Sequence, residues 1–214
     1  MLSQRYVNLS SSYGGQSILL CKFGKSINFN RKLSMSVLKS MSVFPQYFEG
    51  HEDQGKSVNH TCWSRLNLFD LNIPEFNKLK LLLARCINFY FLEFHNEFRG
   101  NCPNFVTCWA NIVKDFKGDV PPHRHHESSF NIAGVYYVGG DYSGVYGGTK
   151  FWFRIGKKSI VKEFRPKVGT LILFPASLYH SMSLYNREIP RITLGFDIRF
   201  RKNEFFDCPS SILS

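Results

Sequence analysis

Three histidines fall within four residues in Pro121-Pro122-His123-Arg124-His125-His126-Glu127. In an extended segment, residues two apart point to the same side. His123 and His125 therefore share a face, and so do His125 and Glu127. A neutral imidazole beside a carboxylate supplies two ligands of the kind that hold Fe(II). The third ligand must come from elsewhere, and His180 is the best-placed candidate. It follows the apolar run from Thr170 to Phe174, which ends at Pro175 and reaches the histidine through a short loop. Two imidazoles and a carboxylate on one side of an iron leave three positions open. Those positions can take a bidentate 2-oxo acid and then dioxygen. The acid's far carboxylate needs a cation, and Arg offers a planar fork that Lys lacks. Arg191 lies eleven residues after His180, with Thr193 two further along the same face of a strand.

Short strands must position these residues. Candidate strands are 104–113, 132–138, 149–154, 159–164, 170–174 and 191–200, with Gly139-Gly140, Gly147-Gly148 and Gly156 marking turns. Strands at this spacing suggest an antiparallel sandwich or barrel. The last strand alternates: Ile192, Leu194, Phe196, Ile198 and Phe200 point one way, and Arg191, Thr193, Gly195, Asp197 and Arg199 the other. One side can pack under a helix while the other lines a polar cavity. A helix over 74–99 fits that task. Pro74 suits its first turn, Gly100 stops it, and Phe76, Leu79, Leu83, Ile87, Tyr90 and Phe94 form an apolar stripe. Between residues 41 and 73 the pattern predicts a short strand at Val43-Phe44 and then polar loop.

The chain of 214 residues is 43% apolar and 20% charged, which is globular composition. No run of eighteen apolar residues occurs, so a membrane-spanning helix is not expected. The six cysteines form no Cys-x-x-Cys pair, and free thiols in a reducing compartment are the simpler reading. A soluble, intracellular protein is therefore expected. Residues 1–40 are Ser-rich and basic and lack acidic residues, so they read as a leader, either unstructured or an organellar transit segment. Met35 and Met41 are alternative starts. The net charge is +11, but subtracting the six basic residues before Glu49 leaves +5. That mild balance weakens the case for a nucleic-acid partner.

In these motifs the chain resembles the small 2-oxoglutarate/Fe(II)-dependent oxygenases of bacteria and phages. The likeness rests on Trp109-Ala-Asn111, Lys117-Gly118, Ala133-Gly-Val-Tyr-Tyr137, Phe174-Pro175 followed by His180, and Arg191, over roughly residues 104–200. It implies a mainly β fold with flanking α, built on a double-stranded β-helix (jelly-roll, cupin-like) core. Residues 41–214 would form a single oxygenase domain. It also implies Fe(II), 2-oxoglutarate and dioxygen as reactants, ascorbate as an optional reductant, and hydroxylation with release of succinate and CO2. Counting back from Gly134, the family's His-x-His falls on His125 and Glu127, which favours His125, Glu127 and His180 as metal ligands. A register shift of two makes His123 the alternative ligand in a three-histidine site. Arg191 and Thr193 would clamp the 2-oxoglutarate carboxylate. Asn111 would either reach the cosubstrate or satisfy a sheet edge. One of Tyr136 and Tyr137, which alternate faces, would line the cavity; Tyr137 is taken as that residue. Two other readings stand beside this one. A cupin-like three-histidine metalloenzyme without 2-oxoglutarate would need His123 and dispense with Arg191. A basic β-sandwich would bind nucleic acid or an acidic partner and hold no metal.

Overall fold

Alternation of apolar and polar residues gives each strand a buried side, and that pattern sets the architecture. The computed structural model describes residues 17–23, 27–51, 57–61, 66–95, 105–114, 116, 120–125, 131–140, 147–155, 157–165 and 167–199. Among these, the strands are β1 (Leu19–Lys22), β2 (Phe48–His51), β3 (Ser57–Thr61), β4 (Phe105–Lys114), β5 (Ile132–Gly139), β6 (Thr149–Ile155), β7 (Lys158–Phe164), β8 (Thr170–Pro175), β9 (Tyr179–Met182) and β10 (Arg191–Arg199). Two helices, α1 (Ile27–Val43) and α2 (Pro74–His95), accompany them. A seven-stranded sheet runs β1-β8-β5-β10-β4-β3-β2 and a three-stranded sheet runs β7-β6-β9. The paired strands are antiparallel throughout.

The large sheet buries both faces. On one side Leu33 and Val37 of α1 and Phe76, Leu79, Leu83 and Ile87 of α2 pack on Tyr136, Leu173, Leu194 and Phe196. Each such side chain, fully buried, contributes about 1.5–3 kcal/mol. On the other side Tyr137, Ile172 and Phe174 meet Phe151, Phe153 and Phe164 of the small sheet. The alternation predicted for the last strand is realised in β10, with its apolar residues under the helices and Arg191, Thr193, Gly195 and Asp197 facing the small sheet. The six predicted strands each have a counterpart, and α2 starts at Pro74 as its sequence indicates.

Two expectations are corrected. Residues 17–43 are not a separate leader. β1 pairs with β8 from Leu19↔Leu173 to Lys22↔Thr170, and α1 covers the core, so a boundary at residue 40 falls inside a helix. Residues 1–16 lie outside the described residues. Val43-Phe44 is not a strand, because Val43 closes α1 and Phe44 N–H donates back to Ser40 O at 2.9 Å.

Candidate active site

Backbone pairing brings the histidines together. The segment 121–125 lies alongside β9, where His123 N–H donates to His180 O at 3.0 Å and His180 N–H to His123 O at 2.9 Å. His125 N–H is held by Ala176 O at 3.0 Å. The rings of His123 and His180 are 4.5 Å apart, those of His125 and His180 4.9 Å, and those of His123 and His125 5.5 Å. One nitrogen from each of the three lies within 4.8 Å of the others. Ligands about 2.1 Å from an ion and at right angles to one another lie about 3 Å apart, so the widest pair must draw in by more than about 1 Å to hold an ion on one side. Glu127 lies outside the described residues.

The protonation of these rings follows from their outer partners. His180 Nδ1 faces Leu178 O at 3.0 Å, His125 Nδ1 faces Asp197 Oδ1 at 3.3 Å, and His123 Nδ1 faces Pro121 O at 3.5 Å. Carbonyls and carboxylates only accept, so each Nδ1 carries a proton toward its partner, which leaves Nε2 as the atom that could take an ion. Burial, then the neighbouring His123 and His125, lowers His180 to about 3. Burial, then His125, also holds His123 below its ordinary value. Both are neutral near pH 7, the state a metal ligand needs. Burial would raise the Asp197 carboxyl, but the hydrogen bonds and charge of His125 and Arg199 outweigh it and hold Asp197 below its ordinary value. Asp197 is therefore an anion behind His125.

The opposite end of the same cavity is cationic. Arg191 is 3% exposed. Its Nε donates to Gly147 O at 2.9 Å and its Nη1 to Thr193 Oγ1 at 3.1 Å. The guanidinium also lies 5.4 Å over the ring of Tyr137. Tyr137 meets Thr149 Oγ1 at 2.5 Å, and burial raises its hydroxyl pKa, so the proton stays on. Gly147 sits at φ +77, and a Cβ there would meet the Tyr185 ring at 2.6 Å, so only glycine presents this carbonyl without strain. Among the described residues Arg191 pairs with no carboxylate. A buried guanidinium left without a counter-ion is costly, and an anion in the cavity would offset that cost.

A cavity of about 240 Å³ joins the two ends. Its wall includes His123, His125, His180, Arg191, Thr193 and Asn111. Asn111 sits directly opposite Thr193 on β4, between β10 and β3, so it is not at a sheet edge. Trp109 also lines the wall, 5.5 Å from the His125 ring. Its indole lies over Gly195, where any Cβ would strike it.

Residues 107–197 match the model of a family described as "Putative 2OG-Fe(II) oxygenase". That stretch holds all the cavity residues named above. Over those residues the chain resembles this oxygenase family. The chain is also similar to a Pseudomonas putida prolyl-4-hydroxylase, at 12% identity and TM-score 0.63, over 90% of this chain and 96% of that one. SnoN, a non-haem α-ketoglutarate-dependent epimerase from nogalamycin biosynthesis, gives 9% and 0.65 over 89% and 81%. AviO1 from Streptomyces viridochromogenes gives 11% and 0.60 over 88% and 92%. At such identities the likeness is one of fold, the double-stranded β-helix. No curated protein matches the chain. The family's cofactors are Fe(II) and 2-oxoglutarate, and the donor set fits them: neutral imidazoles for the ion and a buried cation for a carboxylate. No helix among the described residues is long and apolar enough to cross a membrane.

Two site residues escaped the sequence reading. Asp197 stood out only as a polar member of an alternating strand, with no sign that it would back His125. Trp109 was legible as part of a motif but not as a wall of the cavity. Both roles depend on register between β4, β5 and β10, which a single sequence does not print.

Proposed function

We propose that this protein is an oxygenase that hydroxylates its substrate, holding Fe(II) through His123, His125 and His180 and anchoring 2-oxoglutarate on Arg191. The supporting observation is a buried, carboxylate-free Arg191 in the same cavity as the three-histidine cluster. When bound, iron and 2-oxoglutarate with dioxygen supply oxidative decarboxylation to succinate and CO2, coupled to oxidation of a C–H bond.

The protein's part is to bind and orient. Three neutral imidazoles leave the ion's charge uncompensated, so the site favours a dianionic cosubstrate more strongly than a site with a carboxylate ligand would. Arg191 would take the distal carboxylate, with Thr193 and Asn111 beside it. Gly147 O and Thr193 Oγ1 fix the guanidinium, and the Tyr137 ring supports it from behind. Asp197 orients His125, while Phe174 and Phe151 press on His180 with ring distances of 4.6 and 6.2 Å and limit water near it.

A three-histidine metalloenzyme without 2-oxoglutarate would share the histidines but leave a buried Arg191 without purpose. The test is turnover of 2-oxoglutarate. Purified protein with Fe(II) and ascorbate is expected to release succinate from 2-oxoglutarate, even without substrate, at a slow uncoupled rate. Arg191→Gln should raise the 2-oxoglutarate requirement at least about thirtyfold, as expected when a buried charge pair loses one partner. Iron binding with no succinate at any 2-oxoglutarate concentration would support the cupin-like reading instead.

A further inference from the structure

We propose that the outer face of the small sheet is a docking surface for single-stranded nucleic acid. This surface is separate from the iron site and does not depend on it. In β6, Phe151 and Phe153 are fully buried, so Lys150, Trp152 and Arg154 between and beside them face outward. Trp152 pairs directly with Val161 on one side and with Tyr179 on the other. Arg124 extends the row, its guanidinium 5.3 Å over the Tyr179 ring. Val161 is 51% exposed and Tyr179 44%. The row thus carries two aromatic side chains on adjacent strands, with a cation at its end.

Cations surround this row. Residues 149–167 contain seven Lys or Arg against one acid, Glu163. Lys158 and Lys162 pair with Ile155 and Phe151 and so lie on the other face, while Glu163 shares the outward face opposite Lys150; Lys150, Arg154 and Arg124 are the cations of the outward row. Arg154, Lys157 and Lys158 are exposed around the β6–β7 hairpin, and Arg165 and Lys167 are exposed beyond the end of β7. Aromatic platforms set among cations are how proteins bind single strands: phosphates meet the charges and bases stack on the rings. An acidic peptide would engage the cations but leave Trp152 and Tyr179 without a role.

The surface borders the cavity. Arg124 lies between His123 and His125, with its side chain outward while theirs turn in toward His180. A strand lying on the small sheet would pass one residue from the histidine cluster.

The test is fluorescence anisotropy of a labelled oligothymidylate with the metal-free full-length protein. Binding should weaken steeply with salt, with a log–log slope near −0.7 per neutralised phosphate. Tyr179→Ala and Trp152→Ala should each weaken binding about tenfold or more. Arg154→Glu and Lys157→Glu, both at exposed positions at the β6–β7 hairpin, should weaken it and flatten the salt slope. The proposal is overturned by no binding at low salt, or by binding that these four variants leave unchanged. It is also overturned if poly-glutamate or duplex DNA binds as tightly as the single strand. Succinate release from 2-oxoglutarate reads the iron site separately, so either result can fail without the other.

Discussion

His125, a proposed ligand, is oriented by its neighbour. Its Nδ1 faces the buried Asp197 carboxylate at 3.3 Å, which fixes the tautomer and the ring angle. Carboxylate–imidazole pairs of this kind typically change metal affinity 10- to 100-fold. Asp197→Ala should therefore weaken Co(II) or Fe(II) binding about 10- to 100-fold, while Asp197→Asn, which keeps an acceptor oxygen, should lose less. Equal loss in both, or none, would leave Asp197 as packing alone. His180 carries a pH consequence. Its pKa is about 3 in the folded protein against an ordinary value near 6.5 unfolded. Between those values the unfolded chain binds more protons, so stability is full above pH 6.5 and falls as pH drops toward 3. His123 adds in the same direction. Acid unfolding of the metal-free protein should accordingly take up about one proton less in His180→Gln than in the wild type. An unchanged proton count would contradict the buried neutral imidazole.

At the scale of elements, β1 and α1 decide where the domain begins. A chain started at Met41 would lack β1 and nearly all of α1, and it would bare the sheet face that Leu33 and Val37 cover. Such a truncation should aggregate or lose its cooperative thermal transition; a well-folded product would contradict the assignment. A finer test lies within α1. Asn30 Oδ1 accepts the buried Tyr136 hydroxyl at 2.6 Å, so Asn30→Ala should cost about 1–3 kcal/mol. Those residues also explain what the sequence concealed. α1 buries Asn30, Leu33, Val37 and Ser40, a helical stripe in which two of four members are polar. Asn30 is satisfied by Tyr136 and Ser40 by Ser36 O at 2.8 Å, so the stripe is tolerated but invisible to an apolar periodicity. α2, whose stripe is apolar throughout, was legible from Pro74 onward. The six longer strands were legible from alternation and glycine punctuation. β9 has only four residues, and the chain there reads as loop until Phe151 and Trp152 are known to pair with His180 and Tyr179. In the site, spacing brought out His123, His125, His180 and Arg191. The choice between His123 and Glu127 turns on register; the backbone pair His123↔His180 supports the proposal of His123, and Glu127 lies outside the described residues.

Across the whole molecule, two sheets face each other and divide the labour. The large sheet carries Arg191, Thr193, Asn111 and Asp197, while the small sheet and the segment beside it carry His180, His123 and His125. The proposed anion clamp and metal ligands therefore meet only when the two sheets are packed, which makes the site a product of the global fold. The cavity of about 240 Å³ between them is below the range of about 300–1,000 Å³ common for small-molecule pockets. That size suits a cosubstrate held inside with the substrate presented at the mouth. The charge pattern also belongs to this scale, since a modest total hides a basic stretch, residues 149–167, around the small sheet.

The most direct test is an anaerobic titration of Fe(II) and then 2-oxoglutarate, followed by the weak visible charge-transfer band of the chelate. Wild type should develop the band. Glu127→Ala should keep it, His123→Ala and His180→Ala should lose it, and Arg191→Ala should need at least about thirtyfold more 2-oxoglutarate to reach it. A band that survives His123→Ala and disappears in Glu127→Ala would contradict the three-histidine centre and restore the carboxylate as a ligand.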